Sequence, residues 1–242
     1  MYNSELTLQG DQVHIWKVRL PLSQKKVERL HECLDSEERK RSGNFHFPRD
    51  RTRFITARGA LRTILGSYLN EPSAALRFGY GTHGKPFLAY PPVTRGIAFN
   101  LSHCDDMVVI GVASNRDIGV DVEVIRTFPE LEDIAEQYLS KEERESLELA
   151  EGEARLRLFY HIWTRREAVA KARGLDLSAA LSDFQIPTYS PGSGIRFEQK
   201  GGCAWCIQDL RLDSSHIAAV CIEGNAFRAT FLNFGDVKDE AR

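Results

Sequence analysis

Apolar and polar residues alternate along the stretch Ile118-Gly-Val-Asp-Val-Glu-Val124, a pattern that predicts a β-strand. Its apolar side chains fall on one face, and Gly119, Asp121 and Glu123 fall on the other. The two carboxylates repel each other, and a divalent cation such as Mg²⁺, which prefers oxygen ligands, would relieve that repulsion. Taken alone, the stretch favours the simpler interpretation of a solvated edge strand with two exposed acids.

The same alternation predicts strands before this stretch. Residues 12–20 and 97–101 each form a candidate strand, the second ending at Ser102-His103, and residues 107–113 form another. Only short polar turns separate the strands at 97–101 and 107–113 from each other and from the acidic strand. We therefore expect these three strands to form an antiparallel meander.

Helical spacing of apolar residues, together with capping signals, predicts helices on both sides of these strands. The predicted helices are 27–33, one starting at Asp35-Ser-Glu-Glu38, 48–69, 131–139, one capped by Ser140-Lys-Glu-Glu143, and 154–173, which Gly174 would end. Strand-like alternation returns at 183–187 and 204–223. This order of elements predicts an α+β fold, and the similar layout of its two halves hints at an internal duplication.

Positive charge is concentrated in the segment 39–62, which suggests an anionic ligand. On the predicted helix, Arg51, Arg58 and Arg62 lie opposite the apolar stripe, so a solvated basic face explains them. Arg53 flanks the stripe instead. There it either contacts a ligand or covers apolar surface with its aliphatic stem.

Composition changes this picture little. The chain has 242 residues, 27% of them charged, and a formal net charge of -2, so no overall field draws it to nucleic acid or to a membrane surface. We find no apolar run of membrane-spanning length and no signal peptide at the N-terminus. The five cysteines, an odd number at irregular positions, predict a reducing, cytosolic setting. Cys203 and Cys206 would face opposite sides of a strand, so we do not expect them to share a metal.

Candidate chemistry centres on Glu167 and Lys171, which stand four residues apart and share one helix face. They form either an ordinary surface ion pair or part of a phosphate site. In the second case Glu167 joins Asp121 and Glu123 as a Mg²⁺ ligand, and Lys171 contacts a phosphate on the same metal.

Two further stretches carry polar groups at strand ends. Adjacent residues such as Ser102 and His103 cannot easily form a nucleophile pair, and no Gly-x-Ser-x-Gly motif occurs. Donation to a phosphate is their simpler role, and Gly84-Lys85-Pro86 offers another cation on a loop. The chain has no phosphate-binding or dinucleotide-binding glycine motif.

Together these stretches resemble the Sfp-type 4'-phosphopantetheinyl transferases, from about Leu34 to Ile222. The matching stretches, in order, are Gly84-Lys85-Pro86, Phe99-Asn-Leu-Ser-His103, Ile118-Gly-Val-Asp-Val-Glu123 and Phe159-Tyr-His-Ile-Trp-Thr-Arg-Arg-Glu-Ala168 with Lys171. The resemblance implies transfer of the phosphopantetheine arm of coenzyme A to a serine of an apo acyl, peptidyl or aryl carrier protein, with release of adenosine 3',5'-bisphosphate.

The resemblance also implies residue roles. Asp121, Glu123 and Glu167 would hold Mg²⁺, and Glu167 would act as general base on the acceptor serine, directly or through water. Lys171 would bind the pyrophosphate and help the leaving group. The residues implied to contact coenzyme A are Arg41, Arg53, Lys85, Pro86, Ser102, His103, Asp121 and Lys171.

Among the coenzyme A contacts, His103, Arg41 and Arg53 would lie near the 3'-phosphate, although Arg41 stands where the family often has lysine. Glu143 matches a further acidic position whose role the resemblance leaves open.

The implied fold is a pseudo-dimer of two similar α+β halves, residues 1–116 and 117–242, with the active site in the cleft between them. A cleft contained in one chain predicts a monomer. The cysteine usage predicts a cytoplasmic location, and the net charge of -2 predicts that neither nucleic acid nor a membrane is a partner. The pathway, whether fatty-acid, polyketide or non-ribosomal peptide synthesis, stays open, as does the use of acyl coenzyme A donors.

Two other functions remain. A Mg²⁺-dependent phosphate-ester hydrolase would need only the three carboxylates and Lys171, and it would release product from coenzyme A without a carrier protein. A non-catalytic module would grip a carrier protein through the segment 39–62, and its binding would survive loss of Asp121 and Glu167.

Overall fold

The computed structural model describes residues 6–91, 96–179, 194–198 and 202–236. Its strands are β1 (Gln12–Arg19), β2 (Arg77–Tyr80), β3 (Pro86–Tyr90), β4 (Ile97–Cys104), β5 (Met107–Ser114), β6 (Ile118–Val124), β7 (Ile195–Glu198), β8 (Ala204–Leu210), β9 (His216–Glu223) and β10 (Arg228–Asn233). Its α-helices are α1 (Gln24–Glu32), α2 (Ser36–Gly43), α3 (Pro48–Leu69), α4 (Leu131–Tyr138), α5 (Lys141–Glu148) and α6 (Gly152–Arg173).

The first sheet contains β10, β1, β5 and β4 in that order. The neighbours β1, β5 and β4 are antiparallel, whereas β10 joins β1 in parallel and returns the chain to the N-terminal sheet. One face of this sheet packs against α1 and α3 in a core that includes Leu61, Ile64 and Leu65. The strands β2 and β3 form a separate hairpin.

The second sheet contains β6, β9, β8 and β7, and all its described neighbours are antiparallel. One face packs against α6 through Ala168, Val169 and Ala172. The other face, with Val120 and Val122 of β6, packs against β1 and β5 of the first sheet. The two sheets therefore stack face to face, with α3 and α6 on the outside.

In the predicted three-strand meander, the pairing of β4 with β5 is confirmed, and the pairing of β5 with β6 is wrong. β4 and β5 do pair in antiparallel register, from Ile97 opposite Ser114 to Cys104 opposite Met107. β6 leaves that sheet and pairs with β9, with Ile118 opposite Ile222. The apolar face of β6 belongs to the core between the sheets, and pairing beside β5 would not bury it there.

The solvated basic face is also wrong for two of its three arginines. Arg51 is exposed, but Arg58 is only 8% exposed and Arg62 is fully buried. Arg62 Nε lies 2.6 Å from Glu38 Oε2 and its Nη2 lies 2.5 Å from Asp35 Oδ2, while Arg58 contacts the other Glu38 oxygen at 2.7 Å. These charges join α2 to α3 in a buried network.

The predicted helices are confirmed within a few residues, including the caps at Asp35, Ser140 and Gly174. The candidate strand at 183–187 lies outside the described residues. The sequence pattern does not predict the strands β2, β3, β7 and β10. No helix in the described part of the chain is long and apolar enough to cross a membrane.

Candidate active site

The site forms where β6 lies directly on α6. A β-carbon at Gly119 would overlap the carbonyl oxygen of Ala168 and the backbone amide of Ala172, so glycine is what permits this close approach. Those two alanines directly follow Glu167 and Lys171. The contact therefore brings the acidic strand against the helix face that carries the other candidate residues.

Asp121 lies at the centre of the site and is 2% exposed. Its Oδ1 accepts a hydrogen bond from Ser102 Oγ at 2.9 Å and lies 2.6 Å from Lys171 Nζ, which also donates to Ser102 Oγ at 3.0 Å. Asp121 Oδ2 is buried and has no hydrogen-bond partner. Lys171 thus pairs with a carboxylate on another element, which excludes the simple surface pair with Glu167.

The carboxyl groups of Glu123 and Glu167, which lie near Asp121, have pKa values above their ordinary range. Burial raises the pKa of Glu123 to about 7; Asp121 and Glu167 add to the rise, and Lys171 and Arg126 oppose it. Burial also raises the pKa of Glu167, where Lys171 opposes the shift and Asp121 adds to it. Lys171 alone does not balance the negative charge of this cluster.

The carboxylates of Asp121, Glu123 and Glu167 are suitable ligands for a hard cation. Among the described side chains, no three His, Cys, Asp or Glu groups already converge on one point as a finished metal site. Even so, carboxylate oxygens are the ligands that Mg²⁺ prefers, and Asp121 Oδ2 is a buried acceptor with nothing to satisfy it. A cation beside Asp121 would also relieve the repulsion from Asp121, which adds to the effect of burial in raising the pKa values of Glu123 and Glu167.

Two basic residues, Arg53 and His103, lie near the cluster. Arg53 donates to the carbonyl oxygen of Asp105 at 2.7 Å and to its carboxylate at 2.8 Å, which fixes it beside the β4–β5 turn. His103 has solvent access, yet the surrounding protein lowers its pKa, and Lys171 and Arg53 lower it further. Arg41 lies over the ring of Phe54, 5.2 Å from its centroid.

Lys85 and Pro86 lie at the start of β3, beside the end of α6. Lys85 Nζ donates to the carbonyl oxygen of Ala172 at 2.5 Å and lies 3.3 Å from Asp117 Oδ1. Burial lowers the pKa of Lys85, and Asp117 opposes that shift. The lysine therefore ties the β2–β3 hairpin to the last turn of α6.

Glu143 makes the predicted capping contact and also an ion pair that the sequence did not indicate. It is 2% exposed, closes the capping box of α5 with Ser140, and forms an ion pair with Arg166 of α6. Sequence reasoning also missed Asn100, whose side chain accepts a hydrogen bond from the backbone of β6. Its only signal was its place in the stretch Phe99–His103.

The site contains a buried carboxylate, that of Asp121, in a hydrogen-bonded ion pair with Lys171. Further acids lie next to this pair, and Arg53 and His103 lie near it. A site of this class suits phosphoryl transfer, which needs charge neutralisation and positioning more than covalent help.

Comparison with known proteins places the chain within one family of that class. Residues 20–115 match the family model described as 4'-phosphopantetheinyl transferase, N-terminal, and residues 117–221 match the 4'-phosphopantetheinyl transferase superfamily. The chain is 33% identical over 229 residues to the 4'-phosphopantetheinyl transferase HetI of Nostoc sp., covering 95% of each protein.

Other relatives agree. A Synechocystis sp. protein is 36% identical over 168 residues, which cover 66% of this chain and 68% of the relative. The 4'-phosphopantetheinyl transferase Sfp of Bacillus subtilis is 27% identical over 202 residues, covering 83% of this chain and 87% of Sfp. The chain belongs to the 4'-phosphopantetheinyl transferase family and is an enzyme that transfers phosphopantetheine to carrier proteins.

Proposed function

We propose that the donor is coenzyme A, that the transfer depends on Mg²⁺, and that the network around Asp121 carries out the chemistry. The observation that carries this proposal is the state of the Asp121 carboxylate. One oxygen is held by Ser102 and Lys171, and the other is buried without a partner. Asp121, Glu123 and Glu167 would be the metal ligands, and the bound cation would neutralise charge on the pyrophosphate.

The chain's own residues account for the remaining chemistry. The acceptor serine oxygen attacks the phosphorus that carries the pantetheine arm, and the bond to the leaving adenosine 3',5'-bisphosphate breaks. Lys171 neutralises negative charge that grows on the leaving group. Glu167 takes the serine proton, and burial raises its pKa, which makes its carboxylate a stronger base.

Donor binding would use the basic residues around this centre, with the neutral imidazole of His103 as a hydrogen-bond donor. Arg53 and His103 lie together beside the β4–β5 turn, which suits a phosphate group such as the 3'-phosphate, with Arg41 further out on α2. Lys85 and Pro86 lie at the start of β3, next to the last turn of α6, and would also contact the donor.

The finer assignments extend the same proposal. We propose a boundary between the halves at residues 116 and 117, a monomer in the cytoplasm, and acyl, peptidyl or aryl carrier proteins as acceptors. Two matched family regions that end at 115 and start at 117 support the boundary. A net charge of -2 supports the expectation that nucleic acid is not a partner.

The test is incubation of the protein with coenzyme A, Mg²⁺ and a panel of apo carriers from the three pathways, followed by intact-mass measurement. A phosphopantetheine adduct on a carrier serine is expected, and chelation of Mg²⁺ should stop it. Asp121→Asn should abolish the adduct, whereas Asp133→Asn, at an exposed acid on α4, should not. Release of adenosine 3',5'-bisphosphate without any carrier would instead identify a hydrolase.

A further inference from the structure

Two sheet edges meet at the active site. β4 is the last strand of the first sheet, and β6 is the first strand of the second. Each therefore presents backbone groups that lack a strand partner on one side. Within the described chain these two edges form no strand ladder, and side chains of β4 make the contact instead.

Asn100 supplies the central contact between these edges. Its Oδ1 accepts a hydrogen bond from the backbone N–H of Val120 at 3.0 Å. Asn100 is 4% exposed and Val120 is fully buried, so water does not replace this bond. Two residues along β4, Ser102 makes the neighbouring contact to Asp121.

The short segment that leads into Asp121 is consequently held from two sides. Gly119 lies against the backbone of α6, next to the residues that follow Glu167 and Lys171. On the edge facing β4, Val120 is bonded to Asn100. The backbone just before Asp121 can therefore shift only if one of these two contacts breaks.

We propose that Asn100 is a positioning residue for the transfer reaction. Its carboxamide oxygen replaces a strand ladder and sets the separation between two groups of side chains. One group, Ser102 and His103, is carried by β4, and the other, Asp121 and Glu123, is carried by β6. This inference rests on the proposed function, because the two groups must act on the same donor molecule.

The decisive variant is Asn100→Ala, which removes the acceptor and leaves every active-site side chain chemically unchanged. We expect kcat to fall at least about tenfold, since small displacements of reacting groups carry penalties of that order. We also expect the amide proton of Val120 to exchange faster with solvent. Asn100→Asp keeps an acceptor oxygen, so its Val120 amide should stay protected.

The matched control is Val112→Ala in β5. Val112 is fully buried in the core between the first sheet and α3, so its truncation lowers stability without touching the contact between the edges. All variants are assayed well below their own melting temperatures. Val112→Ala should keep wild-type kcat and a protected Val120 amide. If Asn100→Ala does not fold, Asn100→Ser, whose hydroxyl is too short to reach Val120, takes its place.

Three outcomes would overturn the proposal: kcat within about threefold of wild type for the Asn100 variant, an equal loss of kcat in Val112→Ala, or an unchanged exchange rate for the Val120 amide. Failure of the underlying function gives a different result. In that case the wild-type protein itself transfers nothing from coenzyme A to any apo carrier.

Discussion

Replacing Glu123 with glutamine is expected to stabilise the protein while it destroys activity. Burial, repulsion from Asp121 and repulsion from Glu167 raise the pKa of Glu123 from 4.5 to about 7. The folded protein therefore holds a proton on this side chain more tightly than the unfolded chain does. Below the unfolded pKa both states are protonated and nothing is lost. As the pH rises from about 4.5 to 7, the unfolded state ionises first, and the folded state loses stability.

The size of this loss follows from the pKa shift. One pKa unit corresponds to about 1.4 kcal/mol, so a rise from 4.5 to about 7 destabilises the ionised folded protein by roughly 3 kcal/mol. Glutamine does not titrate and avoids this cost above neutral pH. In a chain of 242 residues, a gain of that order should raise the melting temperature by several degrees.

Thermal melting at about pH 5 and about pH 8.5 provides the assay, with and without Mg²⁺. Glu123→Gln should melt above wild type at the higher pH and close to it at the lower pH. Mg²⁺ should raise the melting temperature of wild type more than that of the variant, because a ligand has been removed. Phosphopantetheine transfer should fall about a hundredfold or more. The control is Glu136→Gln at an exposed position of α4, which should change neither property.

Two results would refute this reasoning. If Glu123→Gln melts below wild type at the higher pH, the buried carboxylate is not held against repulsion in the folded state. If Mg²⁺ stabilises wild type and variant equally, Glu123 is not among its ligands.

The remaining predictions concern other charges. Lys171→Ala should lower kcat about a hundredfold. It should also move the acid limb of the pH–rate profile to higher pH, because Lys171 lowers the pKa values of Glu123 and Glu167. The control Lys141→Ala, which breaks an exposed ion pair with Glu145, should change neither kcat nor the pH profile. His103→Ala should raise KM for coenzyme A but have less effect with a donor that lacks the 3'-phosphate, and equal effects on both donors would remove His103 from that subsite. Arg62→Leu should cost about 3–5 kcal/mol in urea unfolding, because one oxygen of the buried Glu38 and the Asp35 carboxylate lose their arginine, while kcat well below the melting temperature stays unchanged.

Elements with local signals could be predicted from sequence. The capping boxes at Asp35 and Ser140 each lie within four consecutive residues, so the sequence alone predicts them. The face shared by Asp121 and Glu123 follows from strand alternation alone. The proximity of Lys171 to Asp121 could not be derived in that way, because it depends on the close packing of Gly119 against α6.

Features that depend on distant segments could not be predicted. Sequence proximity favoured pairing of β6 with β5, but the partner of β6 is β9, whose residue Ile222 lies opposite Ile118. β6 pairs with β9 because that position buries its apolar face between the sheets and brings its other face against α6. No residue close to β6 in sequence indicates this pairing. Likewise, the sequence pattern predicts a surface position for Arg62, but the packing of α2 on α3 buries it in an ion pair with Glu38.

The internal duplication, only hinted at by the layout of elements, is supported by equivalent ion pairs. Each half has a helix of 8 residues followed by one of 22, and the third residue of the shorter helix contacts the fifteenth of the longer, Glu38 with Arg62 and Glu143 with Arg166. The equivalence ends one residue later, where α6 carries Glu167 and α3 carries Thr63. The shared ion pair fixes the orientation of both long helices, but only α6 presents a carboxylate at the next position. In the proposed site, Ser102 of the N-terminal half donates a hydrogen bond to Asp121 of the C-terminal half, so the two halves contribute different groups.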